Sequence, residues 1–189
     1  MDIITKEELL QNKDNFFTRI EQGVAFIYPT DTIYGLGCNA ADERAVAKLR
    51  KAKHRYEIPF SVIAPSKKWI LENCEVAQKE RKWINKLPGP YTLILTLKNK
   101  DKIADNVTNG LATIGLRIPD NWFSNFINEL GFPIVTTSAN IAGQNFMTSL
   151  EDLDIRIKAK ADFIIYEGEK HGRPSQIVNL VDGEKIISR

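Results

Sequence analysis

Apolar runs alternate with amphipathic segments along most of the chain. Between residues 5 and 22, Leu9, Leu10, Phe16, Phe17 and Ile20 recur at helical spacing. Thr5 with Glu8 three positions on has the form of a capping box, and Gly23 closes the segment. The run 24–28 is apolar and β-rich and stops at Pro29, which predicts a buried strand. Asp42 predicts the cap of a second helix reaching about Ala52, with Ala45, Val46 and Leu49 inward and its cations outward. Residues 60–64 read as a short strand. Ser66 and the stretch 76–85 begin further helices, the second broken by Pro88-Gly89-Pro90.

The second half repeats the alternation. Strands are predicted at 91–97, 111–118, 133–137, 162–166 and 176–181, and helices at 121–130, ended by Gly131, and at 149–158. Asp182-Gly183 is a turn signal into 185–188, a closing hairpin. Strands interleaved with helices predict an α/β fold. The expected form is one domain over 1–189, with an open twisted mixed sheet, parallel and antiparallel, antiparallel at its end, and helices packed on it.

With 43% hydrophobic residues, a chain of 189 residues builds one core and is too short for two full-sized domains. A net charge of +2 falls short of the excess expected of a long nucleic-acid grip. Its distribution matters more, since Arg44, Lys48, Arg50, Lys51, Lys53 and Arg55 fall close together. Cys38 and Cys74 have neither paired spacing nor a histidine cluster, which argues against a zinc site or disulfide framework and for a reducing compartment. No basic leader with an apolar core and no membrane-length apolar run is found, so a cytoplasmic protein is expected, without a membrane segment.

Candidate chemistry begins where the strand at 24–28 ends, in Pro29-Thr30-Asp31-Thr32-Ile33-Tyr34-Gly35-Leu36-Gly37. Two hydroxyls flanking a carboxylate, then an aromatic and two glycines, suit a loop that meets a ligand. Gly35-Leu36-Gly37-Cys38-Asn39-Ala40 fits a G-x-G-x-x-A pattern, but six residues separate Tyr28 from Gly35 and the region downstream reads Lys53-His54-Arg55 instead of supplying an acid. A dinucleotide fingerprint is therefore rejected, and no P-loop motif occurs. Lys53-His54-Arg55 stands just past a predicted helix, either as cations complementing the helix dipole or as an anion clamp. Ser138-Ala139-Asn140 leaves the strand at 133–137 with helix-cap or ligand-binding chemistry, at the carboxyl end of a strand in an α/β sheet. Arg117 ends another apolar strand, and Ser175 follows Arg173-Pro174.

Taken together, PTDTIYGLG, the K-x-R of Lys53 and Arg55 and the S-x-N of Ser138 and Asn140 resemble the signature of the YrdC-like family of threonylcarbamoyl-AMP synthases. LPGPYTLIL, IGLRIP, PSQIV and a final Arg189 agree in order, so the resemblance covers nearly the whole chain. It implies a YrdC-like fold and a nucleotidyltransferase for tRNA processing. Such an enzyme converts L-threonine, bicarbonate and ATP into threonylcarbamoyl-AMP and pyrophosphate, and partner proteins then modify the adenosine beside the anticodon of certain tRNAs. By the same resemblance, Lys53 and Arg55 are catalytic and hold the triphosphate. Ser138, Asn140, Ser175 and Arg189 complete the ATP site. Thr30, Thr32, Thr136 and Arg117 line the threonine side. ATP enters as substrate, with magnesium expected on its phosphates and no metal site of the protein's own. His54 and His171 are bystanders. Tyr56 stands where many members of the family have proline.

The charge arithmetic agrees with these roles. ATP brings about four negative charges, which three or four Lys/Arg and a magnesium ion balance in a cleft of reduced screening. Carbamate attack at the α-phosphorus needs mostly orientation and charge stabilisation. The competing function is a double-stranded RNA or tRNA-binding module without synthase activity, served by the cations from Arg44 to Arg55; steep loss of RNA affinity with salt, without ATP turnover, would mark it.

Overall fold

The computed structural model describes residues 1–181 and 183–187. Its strands are β1 (Asp2–Ile4), β2 (Phe26–Pro29), β3 (Tyr34–Gly37), β4 (Ser61–Ile63), β5 (Tyr91–Thr96), β6 (Thr113–Arg117), β7 (Ile134–Ser138), β8 (Phe163–Ile165), β9 (Gln176–Asn179) and β10 (Lys185–Ile187). They form one ten-stranded sheet in the order β1-β8-β2-β3-β7-β4-β6-β5-β9-β10. The helices are α1 (Lys6–Gln11), α2 (Lys13–Glu21), α3 (Glu43–Lys53), α4 (Lys67–Asn73), α5 (Arg81–Asn85), α6 (Asp105–Thr108), α7 (Phe123–Leu130) and α8 (Ile155–Lys158). The fold is a single α/β domain with a mixed sheet. Antiparallel pairing is not confined to the end of the sheet, because β2/β3, β3/β7 and β7/β4 at its centre are also antiparallel.

Strand alternation assigns each face its own core. Phe26, Tyr28, Ile63 and Ile134 pack with Leu9 of α1, Phe16 and Ile20 of α2, and Phe123, Phe126 and Ile127 of α7. The alternate residues Ile27, Leu36, Val62, Leu93, Leu116 and Val135 pack with Ala45, Val46 and Leu49 of α3. Stacked rings consolidate the first core, with Tyr28 and Phe123 centroids 4.6 Å apart.

Local signals explain most element boundaries. The Glu8 amide donates to Thr5 Oγ1 at 3.2 Å and the Thr5 amide to Glu8 Oε2 at 2.7 Å, completing the expected capping box. The helix expected over 5–22 is divided at Asn12, where φ −113° and ψ 30° leave helical geometry. Asp42 caps α3 through the Arg44 and Ala45 amides, at 2.9 and 3.0 Å. Of the helix expected over 149–158, only Ile155–Lys158 is helical. Asp152 gathers the Thr148 hydroxyl (2.5 Å) and the Thr148 and Ser149 amides into a turn, a local alternative to helix. In the C-terminal hairpin β10 pairs antiparallel with β9, while Asp182 and Ser188 lie outside the described residues.

β3 departs most from the sequence expectation, in that Tyr34–Gly37 is strand where a loop is expected, although Tyr34 and Gly35 do line a cavity. It is a buried central strand, and its glycines make room for a ring. A Cβ at Gly35 would lie 2.7 Å from Tyr28 Cε2, and one at Gly37 2.2 Å from the Val135 carbonyl oxygen. β1 and α6 also form where the sequence offered no strong periodicity.

Cys38 and Cys74 are free thiols, both buried. Burial pushes the Cys38 thiol well up, and that of Cys74 up to about 12. The native protein is therefore expected to resist a water-soluble thiol reagent at neutral pH and to label at both sites once unfolded; fast labelling of the folded protein would contradict this burial.

Candidate active site

A cavity of about 330 Å3 opens where the first face of the sheet runs out of helix cover. Its floor follows from register. Thr136, Ser61 and Gly115 are paired across β7, β4 and β6, so they share one face. These residues are small where their neighbours are bulky. A Cβ at Gly115 would lie 2.4 Å from Ser61 Oγ and 3.3 Å from Thr92 Cγ2. The hydroxyls of Thr92 and Ser175 meet at 2.8 Å beside this floor. The site thus combines a strand end, at Ser138, with a hollow in the sheet face.

The Thr30–Ile33 turn forms one wall. Thr30 Oγ1 accepts the Thr32 and Ile33 amides at 3.1 and 3.2 Å and donates to the Ile33 carbonyl at 2.7 Å. This hydroxyl shapes the loop. Thr32 Oγ1 lies 2.9 Å from that of Thr30 and 3.5 Å from Arg117 Nη2. Arg117 Nη2 donates to Asp31 Oδ1 at 2.5 Å, with 7% and 9% of the two side chains exposed. Asp31 Oδ2 also accepts the Asp120 amide at 3.1 Å. Asp31 was not singled out among the candidate site residues. It orients the arginine that lines the cavity.

The opposite wall comes from the end of α3. His54 adopts a left-handed conformation, φ 53°, and caps the helix. This reversal lets Lys53 and Arg55, two residues apart, line the same cavity. Lys53, expected as an exposed cation, is 1% exposed. Its Nζ donates to the Ser138 carbonyl, to the Asn140 carbonyl at 2.6 Å and to Asn140 Oδ1 at 3.1 Å. Burial, and then the neighbouring Arg55 charge, pull its pKa down to about 7. Arg55 is half-buried, donates to the Pro59 carbonyl at 2.8 Å and to Thr137 Oγ1 at 3.4 Å, and lies 5.3 Å from the Phe60 ring centroid.

The cationic cluster of the sequence therefore divides. Arg44, Lys48 and Lys51 are exposed on the outer side of α3. Arg50 turns inward, donating to the carbonyls of Arg55, Tyr56 and Ile58 at 2.9, 3.1 and 3.0 Å. Asn109 Nδ2 adds a bond to the Tyr56 carbonyl at 2.9 Å. These backbone bonds hold the loop at Tyr56, a residue that is itself 63% exposed.

Ser138 and Asn140 do not cap a helix, because turns follow them. Ser138 Oγ donates to Asn140 Oδ1 and Asn140 Nδ2 donates to the Gln144 carbonyl, each at 2.5 Å. The cavity brings together Thr30, Thr32, Lys53, Arg55, Arg117, Thr136, Ser138, Asn140 and Ser175. Arg189 lies outside the described residues. The sequence reading missed Ser61 and Thr92 on the floor; polar residues at alternate positions of otherwise apolar strands were their signal. Among the described residues no group of three or more His, Cys, Asp or Glu could hold a metal, and no helix is long and apolar enough to cross a membrane. A magnesium ion fits this cavity only as the companion of a phosphate ligand, since none of the described residues lining it carries a carboxylate and Asp31, behind Arg117, already meets that arginine and the Asp120 amide.

Comparison with known proteins adds independent findings. The Sua5/YciO/YrdC family model, described as telomere recombination, matches residues 18–189. A Methanocaldococcus jannaschii protein provisionally named a threonylcarbamoyl-AMP synthase is 39% identical over 173 residues, covering 89% of this chain and 80% of the relative. The threonylcarbamoyl-AMP synthase of Vibrio campbellii is 28% identical over 176 residues, covering 89% of this chain and 94% of the relative. The crystal structure of Pyrococcus abyssi Sua5 complexed with L-threonine superposes with a TM-score of 0.83 at 29% identity over 95% of this chain. This chain spans about half the length of that protein, 54%.

Proposed function

The chain belongs to the Sua5/YciO/YrdC family, and from that premise we infer that it is a threonylcarbamoyl-AMP synthase, a nucleotidyltransferase of tRNA modification. Its substrates are L-threonine, bicarbonate and ATP, and its products are threonylcarbamoyl-AMP and pyrophosphate. One observation carries the reading: nine candidate side chains from separated motifs converge on one cavity of about 330 Å3, within the size range of small-molecule sites.

In this reading Arg55 faces the ATP phosphates, where its planar guanidinium gives paired contacts. Ser138, Asn140 and Ser175 border the nucleotide; the role of Arg189 there rests on the family resemblance alone. Thr32, Thr136 and Arg117 face threonine, while Thr30 shapes the turn that carries Thr32. The threonine amine and bicarbonate give a carbamate with loss of water, and a carbamate oxygen attacks the α-phosphorus as pyrophosphate leaves. The chain's part is to hold carbamate and phosphate in line and to stabilise the developing charge. Magnesium enters with the nucleotide, as substrate.

The product passes to a threonylcarbamoyl-transfer complex acting on tRNA, which places the work in the cytoplasm. Arg44, Lys48 and Lys51 on the outer side of α3 offer cations for direct RNA contact. RNA affinity that falls steeply with salt and disappears when all three are replaced by glutamate would support that contact; affinity unchanged by the triple variant would exclude this surface.

The synthase reading is tested by omission. Pyrophosphate release from ATP is expected to require threonine and bicarbonate together. Equal release without either co-substrate would refute it.

A further inference from the structure

Lys53 is the last residue of α3, and it grips the 138–144 loop twice. Its carbonyl accepts the Ala142 amide at 3.3 Å, and its Nζ donates to the Ser138 and Asn140 carbonyls and to Asn140 Oδ1. An ammonium carries three protons, and these three oxygens account for all of them. Asn140 Oδ1 in turn accepts the Ser138 hydroxyl, and Asn140 Nδ2 holds the Gln144 carbonyl. With 1% of the residue exposed, an incoming phosphate would have to displace protein oxygens to reach this nitrogen. Arg55, on the same wall, is half-buried and donates to the Pro59 carbonyl at 2.8 Å and to Thr137 Oγ1 at 3.4 Å, so more of its guanidinium reaches the cavity than of the Lys53 ammonium.

We propose that Lys53 is a positioning residue, which fixes the Ser138–Gln144 loop that borders the nucleotide and does not itself contact substrate phosphates. The proposal rests on the cavity being an ATP site, and it gives the two cations of the K-x-R motif different work. Arg55 meets the ligand. Lys53 builds the wall.

Geometry gives the proposal a second consequence. Lys53 sits near the midpoint of its titration at neutral pH, since burial and Arg55 lower its pKa to about 7. The charged group acting on it is Arg55 on the same wall; Arg117, paired with Asp31, also lines the cavity. Loss of the proton removes one of three donors, so the loop loosens as pH rises through that value.

Lys53→Met keeps the unbranched side chain to within its last atom and removes every donor. In the ligand-free protein, hydrogen exchange at the Ala142 and Gln144 amides is expected to quicken by about tenfold or more, since a buried charged donor set is lost. Affinity for inorganic tripolyphosphate is expected to stay within about twofold of wild type, while ATP-dependent pyrophosphate formation falls by about tenfold or more. Tripolyphosphate affinity falling with ATP affinity, and exchange at the loop unchanged, would overturn the proposal. If wild type binds neither ATP nor tripolyphosphate, the ATP reading fails, yet the exchange arm still decides what Lys53 holds. Should the variant not fold, wild type alone suffices. Amide resonances of residues 139–144 must then titrate together with the Lys53 ammonium, and loop amides indifferent to that titration would refute the proposal.

Discussion

Replacing Asp31 by alanine is expected to lower stability by about 3 kcal/mol, the lower end for breaking a buried ion pair, and to remove synthase activity. The carboxylate meets Arg117 Nη2 at 2.5 Å and the Asp120 amide at 3.1 Å, in a setting where both charged side chains are almost fully covered. For a chain of this length, each kcal/mol corresponds to roughly 2–4 °C, so melting should fall by about 6–12 °C. Asp31→Asn keeps the shape and one acceptor oxygen, and it should recover part of the melting temperature without the charge that orients Arg117. Thermal melts of both variants check this. A melt of Asp31→Ala indistinguishable from wild type would show that the pair contributes nothing to this wall.

Arg55→Ala is expected to weaken ATP binding by about 1.5–3 kcal/mol, roughly ten- to a hundredfold, the usual worth of a charged hydrogen-bonded contact. Its effect on folding should be smaller. The side chain is half-buried, with bonds to the Pro59 carbonyl at 2.8 Å and Thr137 Oγ1 at 3.4 Å and a ring contact with Phe60. Those contacts should be worth about 1 kcal/mol between them. Titration calorimetry with the nonhydrolysable nucleotide, beside a melt of the same sample, separates the two quantities. Unchanged nucleotide affinity in a folded variant would remove Arg55 from the phosphate site. Lys53 differs, because its pKa of about 7 lies below the ordinary 10.5. The unfolded chain then binds that proton more tightly, so stability should rise with pH from about 7 to 10.5 and lose that rise in Lys53→Met.

Much of the site was legible because binding groups stood out against apolar strands. Thr30, Thr32, Thr136, Ser138 and Asn140 all leave or interrupt hydrophobic runs, and the cavity collects them. α3 was legible at both ends, from the Asp42 cap to the cations that follow Leu49. What escaped depended on tertiary placement. Lys53 at a helix end reads as solvated, yet carbonyls from β7 and its loop, more than eighty residues away, enclose it. The pair Gly35 and Gly37 reads as a flexible loop until the Tyr28 ring is laid across it. The floor at Ser61 and Thr92, packed over Gly115, becomes a site only after strands distant in sequence are put in register. Asp31 was visible in the motif, but its role needed Arg117 beside it.

The most direct measurement follows the carbon of bicarbonate. With isotopically labelled bicarbonate, L-threonine and ATP, the account predicts labelled threonylcarbamoyl-AMP by mass spectrometry, formed one for one with pyrophosphate. Arg55→Ala should depress both together. Pyrophosphate without a labelled adenylate, or ATP hydrolysis indifferent to threonine, would contradict the assignment of this cavity as a threonylcarbamoyl-AMP synthase site.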